Sequence, residues 1–486
     1  MSARRRLASS ALFAAALACI LPTSLSAQPS SSSSASEQAA PSTETLLAEI
    51  RRLTAAIEAL QTQLAESRRE TAEVQQSLQS LREQLDEERE LLQGQLSSID
   101  QTKVESGSKY RVRLFGMALM QLISTRGAVD NIDLPNLAIE SVPGDSGGSI
   151  SAGVRQSYIG LAVFGPRVGN LTTSGDIRLD FFHGFPAAND GLSSPGVRLR
   201  TMQIAFDGPN TSIRAGQEAP FFSPLSPSSL ASTAYPALST SGNIWSWTPQ
   251  VYVERRVTQP DDTTLSLRAG VLDSMSGELP AGEYSRLATA GERSRMPALA
   301  GRVGVRRGAE ERVTSAGVGG YFARQNWGYD RTINAWATTA DWELPFTSAL
   351  RVSGEAYAGT AIGGLGGGAH SSVLFDGAPD EPASSVFPLH SYGGWIQLKL
   401  KANPRTELNA AYGLDRSKPR GARGLLQPPN DETPSASRNA SDLFNVIYQV
   451  RSNVFLSVEY RRIWTTRFDG RSWLADHLNL VGAVVF

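Results

Sequence analysis

The stretch from Trp473 to Phe486 constrains the fold more than any other. Leu474, Asp476, Leu478, Leu480, Gly482, Val484 and Phe486 share one face of an extended chain, and Ala475, His477, Asn479, Val481, Ala483 and Val485 share the other. Successive side chains of a β-strand point to opposite faces. One face here is almost wholly apolar; the other is mixed, small and polar. The run closes on an aromatic residue, at a place where chain ends ordinarily fray into water. The pattern fits a strand with lipid on one side and a lumen on the other, closing a barrel. A buried strand ending a soluble domain is the competing reading.

The 486 residues suffice for several domains or one large closed sheet. Mean hydropathy is −0.21, and no apolar run beyond the N-terminus reaches the ~18 residues of a membrane helix. A helical membrane protein is excluded. A membrane barrel is not, because alternation dilutes its apolar residues. Net charge is −1 overall but segregated: residues 28–100 hold 6 Arg against 13 acids. No block is basic enough for nucleic acid. Cys19 is the only cysteine. It falls in the leader, so a mature chain lacks thiols for nucleophilic catalysis or zinc.

Residues 1–27 read as a signal peptide. Arg4 to Arg6 form the basic region, Leu7 to Leu21 the apolar core, and Leu25-Ser26-Ala27 the cleavage site. Residues 28–43, rich in Ser and Ala, read as a flexible linker. Over residues 44–99 apolar side chains recur every 3.5 positions. One row runs Ile50, Ile57, Leu64, Thr71, Leu78, Leu85, Leu92, Ile99; the other runs Leu46, Leu53, Leu60, Ser67, Val74, Leu81, Glu88, Gln95. Such a seam predicts a coiled coil, roughly 80 Å long at the helical rise. A single helix cannot bury its stripe, so this segment requires a partner copy. Ile in one row and Leu in the other locally favours two strands.

Residues 100–486 divide at Gly, Pro, Asn and Asp clusters into sixteen alternating segments: 109–122, 153–165, 170–182, 197–208, 211–218, 250–258, 262–273, 297–307, 311–325, 332–343, 348–360, 391–401, 405–415, 441–450, 453–466 and 473–486. Short turns follow the even-numbered segments. Long polar loops follow most odd-numbered ones, the exceptions lying near 326–331 and 467–472. Outer-membrane barrels show this asymmetry, with short turns on the periplasmic side. The expected fold is an all-β transmembrane barrel of 16 antiparallel strands with an N-terminal α-helical coiled coil in the periplasm. Aromatics near segment ends (Phe164, Phe181, Phe206, Trp327, Trp342, Phe346, Tyr412, Tyr460, Trp464, Phe468, Trp473) suit interfacial girdles.

Charges should collect on the lumen face, since a charge facing lipid costs ~2–4 kcal/mol near midplane. Asp176, Arg178 and Asp180 oppose Ile177 and Leu179; Arg214 and Glu218 oppose Ile213; Arg268 opposes Leu267; Arg302 and Arg306 oppose Val303; Lys399 and Lys401 oppose Leu398; Glu459 and Arg461 oppose Val458. In 197–208, Arg198 and Arg200 fall on the same face as Met202, Ile204 and Phe206, which places them above the lipid zone or at a subunit contact. A basic lumen attracts anions, and Arg grips carboxylates with both prongs. Mutual pairing of these charges is the alternative. The loop 219–249 carries Phe221, Phe222, Pro224, Pro227, Tyr235, Pro236, Trp245 and Trp247. It suits a constriction folded into the lumen, or a surface loop packed on its neighbours.

His183, His370, His390 and His477 lie at no metal-ligand spacing. Ser472 and His477 fall on opposite faces of one strand, with no third catalytic group. Gly363-Gly364-Leu365-Gly366-Gly367-Gly368 lacks the Lys-Ser/Thr of a phosphate loop and reads as flexible. No catalytic residue, metal site or cofactor is expected.

The last strand resembles the closing strand of bacterial outer-membrane proteins, with Gly482 where that pattern prefers a larger residue. The whole mature chain resembles the DcaP-like trimeric porins. The likeness is carried by Arg155-Gln156-Ser157-Tyr158-Ile159-Gly160-Leu161, Gly175-Asp176-Ile177-Arg178-Leu179-Asp180-Phe181-Phe182, Arg198-Leu199-Arg200 and Ala215-Gly216-Gln217. It implies a homotrimer in the outer membrane that passes small anions such as dicarboxylates, with Arg178, Asp180, Arg198, Arg200 and Gln217 in the pore. The expected pore-lining, anion-binding set is Arg178, Asp180, Arg198, Arg200, Arg214, Arg268, Arg302, Lys399 and Arg461. Expected partners are two further copies through barrel and coiled coil, outer-membrane lipid, small anionic solutes and, through the coiled coil, peptidoglycan. The competing function is a structural anchor whose coiled coil tethers or spaces the envelope.

Overall fold

The computed structural model describes residues 110–184, 195–278, 286–308, 312–419, 426–429 and 436–486, together with seven positions between Thr54 and Glu66. Contacts divide the chain into Met1–Ile99 and Asp100–Phe486. In the first unit the seven described positions are helical and exposed. The expected signal peptide and linker, and the rest of the coiled-coil seam, lie outside the described residues.

The second unit is a closed antiparallel barrel of 16 strands. They are β1 (Arg111–Arg126), β2 in two pieces (Gly148–Gly153 and Tyr158–Val168), β3 (Leu171–Asp180), β4 (Arg198–Asp207), β5 (Thr211–Glu218), β6 (Thr248–Thr258), β7 (Thr263–Leu272) and β8 (Ala298–Arg307). There follow β9 (Thr314–Asn326), β10 (Thr332–Pro345), β11 (Leu350–Thr360), β12 (Val386–Asn403), β13 (Thr406–Pro419), β14 (Ala436–Arg451), β15 (Val454–Arg467) and β16 (Ser472–Val485). Each pairs with the next, and β1 pairs with β16 from Met117↔Val485 to Arg126↔Asp476. Gly116 and Phe486 exchange backbone hydrogen bonds of 2.9 and 3.0 Å beyond that ladder. Closure leaves no open edge, which a sheet in lipid requires.

The alternating stripes become two faces. On β16, Leu474, Leu478, Leu480 and Val484 are exposed, while Ala475, His477, Asn479, Val481 and Ala483 are buried. Of the aromatics expected in girdles, Phe346, Tyr412 and Tyr460 are exposed, while Trp473 packs against the buried Ala138, Ile463 and Ala475. Phe164 and Trp327 depart from that expectation. Phe164 receives the Arg111 guanidinium 4.4 Å from its centroid, and Trp327 is buried beside Phe375.

β4 corrects the sequence reading. Its pairing with β3 shifts register between Arg178 and Leu179, leaving Arg200 as the extra residue between Leu199 and Thr201. A bulge of one residue reverses the phase of everything beyond it. Leu199, Met202 and Ile204 therefore face outward, while Arg198 and Arg200 stand on the other side with Gln203 and Ala205. The arginines are neither above a lipid face nor on it.

β2 is broken at Val154–Ser157, and the break has a use. Ser157 Oγ takes over the lost ladder contact, accepting from the Leu119 N–H at 2.9 Å and donating to the Leu119 carbonyl at 3.0 Å. Arg155 and Gln156 are thereby freed to turn into the barrel. Among the described residues, no helix is long and apolar enough to cross a membrane.

Candidate functional site: the barrel lumen

The inner wall of a sixteen-stranded barrel is a ring of polar side chains wide enough to hold water or a loop. Here the loop between β5 and β6 enters it and follows the wall. Phe222 stacks on Tyr321 of β9 with ring centroids 5.5 Å apart. Glu355 of β11 then accepts from Leu225 N–H at 2.7 Å and from Ser223 Oγ at 2.9 Å. Gln397 of β12 exchanges bonds with Ser228 at 3.0 and 3.2 Å. Asn445 of β14 donates to the Ser228 carbonyl at 3.0 Å, and Ser229 Oγ donates to Glu459 of β15 at 2.5 Å. Gln156, in the β2 break, donates to the Ala231 carbonyl at 2.8 Å and accepts from the Thr233 N–H at 2.8 Å. The loop thus meets β9, β11, β12, β14, β15 and β2 in order around the circumference, as a hoop at mid-height.

Buried polar groups need partners, and hoop and wall supply each other's. Of the two sequence readings for this loop, the lumenal one holds. Two further loops brace it. Asn439 of β14 donates to the carbonyls of Asn136 and Thr240 at 2.9 and 3.1 Å. Arg155 holds Asp133 at 2.6 Å. The glycine run 363–368, expected to be a flexible loop, is buried in two short 3-10 turns, Gly363–Leu365 and Gly368–His370. Its glycines serve close approach: a Cβ on Gly366 would lie 2.9 Å from Trp245 Cδ1.

The nine expected pore-lining residues all stand on the inner wall, but they fall into two groups. Six cations hold carboxylates. Arg198 grips the buried Asp180 with bonds of 2.8 and 3.0 Å and reaches Tyr235 of the hoop at 2.6 Å. Arg302 grips Asp341 at 2.9 and 2.6 Å, and a Cβ on Gly317 would sit 2.2 Å from its Nη2, so only glycine leaves it room. Arg461 bonds Glu459 at 2.7 Å and Ser232 of the hoop at 2.5 Å. Arg268 bonds Glu254 at 2.8 Å, Arg214 approaches Asp207 at 3.3 Å, and Lys399 approaches Glu407 at 3.2 Å. These pairs cancel much of the basic ladder that the sequence suggested.

Arg178 and Arg200 are different. Arg178 has a half-exposed side chain whose Nε lies 3.4 Å from Asp176, and its guanidinium sits 5.4 Å from the Phe115 centroid. Arg200 enters no carboxylate pair among the described residues. Its guanidinium lies between aromatic faces, 5.2 Å from the Tyr158 centroid and 5.1 Å from that of Trp247, which ends the hoop. Its Nε is buried without a hydrogen-bond partner. Aromatic faces hold a guanidinium without neutralising it. Gln217 donates to the Arg200 carbonyl at 3.2 Å, fixing the bulge that aims the side chain. The site is therefore a shelf of two guanidinium groups near the end of the hoop, with Asp176 beside Arg178 and Glu218 close to both. Among the described residues, no group of three or more His, Cys, Asp and Glu is placed to hold a metal ion.

Sequence reasoning missed the inward amides and carboxylates that seat the hoop: Gln121, Gln156, Glu355, Gln397, Asn439 and Asn445. The available signal was polar residues recurring at lumen-facing positions of several strands.

No protein-family model and no curated protein matches the chain. Among solved structures, the outer membrane channel DcaP of Acinetobacter baumannii matches with a TM-score of 0.56 and 17% identity, over 78% of this chain and 99% of that one. The barrel has the DcaP-like porin fold. The anion-selective porin from Comamonas acidovorans matches with a TM-score of 0.45 and 10% identity, over 78% of this chain and all of that one. Salmonella typhi OmpF in complex with daunomycin matches with a TM-score of 0.47 and 9% identity, over 78% of this chain and 98% of that one.

Proposed function

We propose that the protein is an outer-membrane porin for passive diffusion of small, preferentially anionic solutes such as dicarboxylates. It performs no chemistry on them. The observation that carries the reading is Arg200, the one expected lumen cation that enters no carboxylate pair among the described residues, with the half-exposed Arg178 beside it. A solute carboxylate or phosphate passing the hoop meets the Arg200 guanidinium, and beside it Arg178, held only loosely by Asp176 at 3.4 Å, in a lumen of reduced dielectric where a charge acts strongly. The hoop sets the size limit. The short strands β3 to β5 carry Leu199, Met202, Ile204 and Ile213 on their outer face, all exposed. That low apolar wall supports a homotrimer, with residues 44–99 as its periplasmic coiled coil. Purified protein in planar bilayers under a salt gradient tests the reading: the reversal potential should favour anions, and cation preference overturns it.

One observation favours a second reading, a structural anchor tied to the envelope by its coiled coil. Wall residues such as Gln121, Gln156, Asn445 and Asn479 are fully buried under loops, as in a filled barrel. An anchor shows no conductance steps; an open trimer shows steps grouped in threes.

A further inference from the structure

On the outer face of the tall wall, two arginines stand directly side by side. Arg416 of β13 is the cross-strand partner of Arg438 of β14. Their chain neighbours Asp415 and Asn439 are buried on the inner wall, at 1% and 0% exposure, so both arginines project outward. Lys418 lies two residues further up β13, also exposed and outward. Like charges directly opposite in a ladder are destabilising. Among the described residues none of the three enters an ion pair, and Arg438 Nε is buried without a partner.

The rows below differ. Arg462, on the same outer face of β15, is bonded by Asp476 at 2.6 and 3.2 Å. Asp442, the nearest outward carboxylate on β14, stands opposite Arg462 and four residues below Arg438, about 13 Å along a strand. The chain neutralises its lower outward cation and leaves the upper ones open.

Their height is marked by aromatics. Tyr392 of β12 is the partner of Arg416, and Tyr412 lies four residues below it; both are exposed. Exposed Tyr at the end of an apolar band marks the water interface of a membrane. β12, β13, β14 and β15 run 18, 14, 16 and 14 residues, against 10, 10 and 8 for β3, β4 and β5. The arginines thus stand on the high side of the barrel, at its upper lipid boundary. The segment from Arg416 to Arg438 also includes Arg420 and Arg423, with Asp431 and Glu432 as its only acids.

We propose that Arg416, Arg438 and Lys418 form a binding site for the phosphate groups of an anionic lipid in the outer leaflet. The planar fork of arginine matches phosphate oxygens, and the headgroup supplies the counter-charge that the protein omits. The inference rests on the membrane placement of the barrel and is independent of what the lumen passes.

The test uses full-length protein in detergent, stripped of lipid, with thermal unfolding and native mass spectrometry as readouts. The probes are a phosphorylated glycolipid, its dephosphorylated counterpart and inorganic phosphate. The phosphorylated lipid should bind and raise the unfolding temperature, and the other two should not. The variant R416Q/R438Q should weaken lipid binding by at least roughly tenfold, as loss of a charge-assisted contact implies. It should be at least as stable as the wild type without lipid, because the mutual repulsion is gone. The control R405Q, at the opposite barrel end, should bind like the wild type. Equal binding of the dephosphorylated lipid, undiminished binding by the double variant, or a lipid-free loss of stability in that variant overturns the proposal. An equal effect of inorganic phosphate shows a free-ion site and overturns the lipid assignment. Failure of the barrel to insert in membranes would instead show as absent conductance, a separate readout.

Discussion

The Arg200 guanidinium lies 5.1 Å from the centre of the Trp247 ring, joining a bulge in the barrel wall to the end of the hoop that narrows the lumen. The placement of the charge depends on this pairing. Replacing Arg200 with Gln keeps the shape and removes the charge. Anion preference should fall, read as a reversal potential moving toward zero, with conductance altered much less. Trp247→Leu should move it the same way by a smaller amount, through loss of a contact worth about 0.5–2 kcal/mol.

Glu355 is the first clamp on the hoop. Glu355→Ala leaves the Leu225 N–H and the Ser223 hydroxyl without acceptors, at about 1–3 kcal/mol each. The hoop should lift from β11. Single-channel recordings should show larger and noisier conductance, while the barrel itself stays folded.

Arg302 and Asp341 make a buried pair with two bonds. Breaking such a pair from one side costs about 3–5 kcal/mol, whereas replacing both partners is often neutral. R302M alone should therefore lower the unfolding temperature in detergent clearly, and R302M/D341L should restore most of the loss.

Gly116 meets Phe486 at the barrel seam. A Cβ there would lie 2.6 Å from the Tyr158 carbonyl oxygen and 2.7 Å from Phe486 Cζ. Gly116→Val should block seating of β16 against β1. The check is gel mobility before and after heating: the variant should lose the fast-migrating folded band.

Glu292 caps the short helix Ala290–Arg293 in the β7–β8 loop, reciprocally with Thr289. Its two bonds from Arg286, at 2.9 and 2.7 Å, hold its pKa near 2, below the ordinary 4.5. A depressed carboxylate stabilises its fold above the unfolded value and loses that contribution as pH falls from 4.5 toward 2. Carboxyl NMR should place the midpoint near 2, and Arg286→Gln should raise it.

Much of this architecture is legible in the chain because lipid and water write opposite demands on alternate residues. Leu478 against His477 and Val458 against Glu459 each declare a face without help from distant residues. β4 was misread because a bulge is one extra residue, and Arg200 looks no different in sequence from a ladder residue. The hoop's path was illegible for another reason: its acceptors stand far away in the chain, Glu355 being 130 residues from Leu225. Pairs that reach over an intervening strand, such as Arg302 of β8 with Asp341 of β10, need strand registers that alternation alone does not set.

The central claim is that the lumen passes anions beside Arg178 and Arg200. Planar-bilayer recording of wild-type protein under a KCl gradient tests it most directly. The account predicts discrete conductance steps with a reversal potential on the anion side. A silent bilayer, or steps that favour cations, contradicts it.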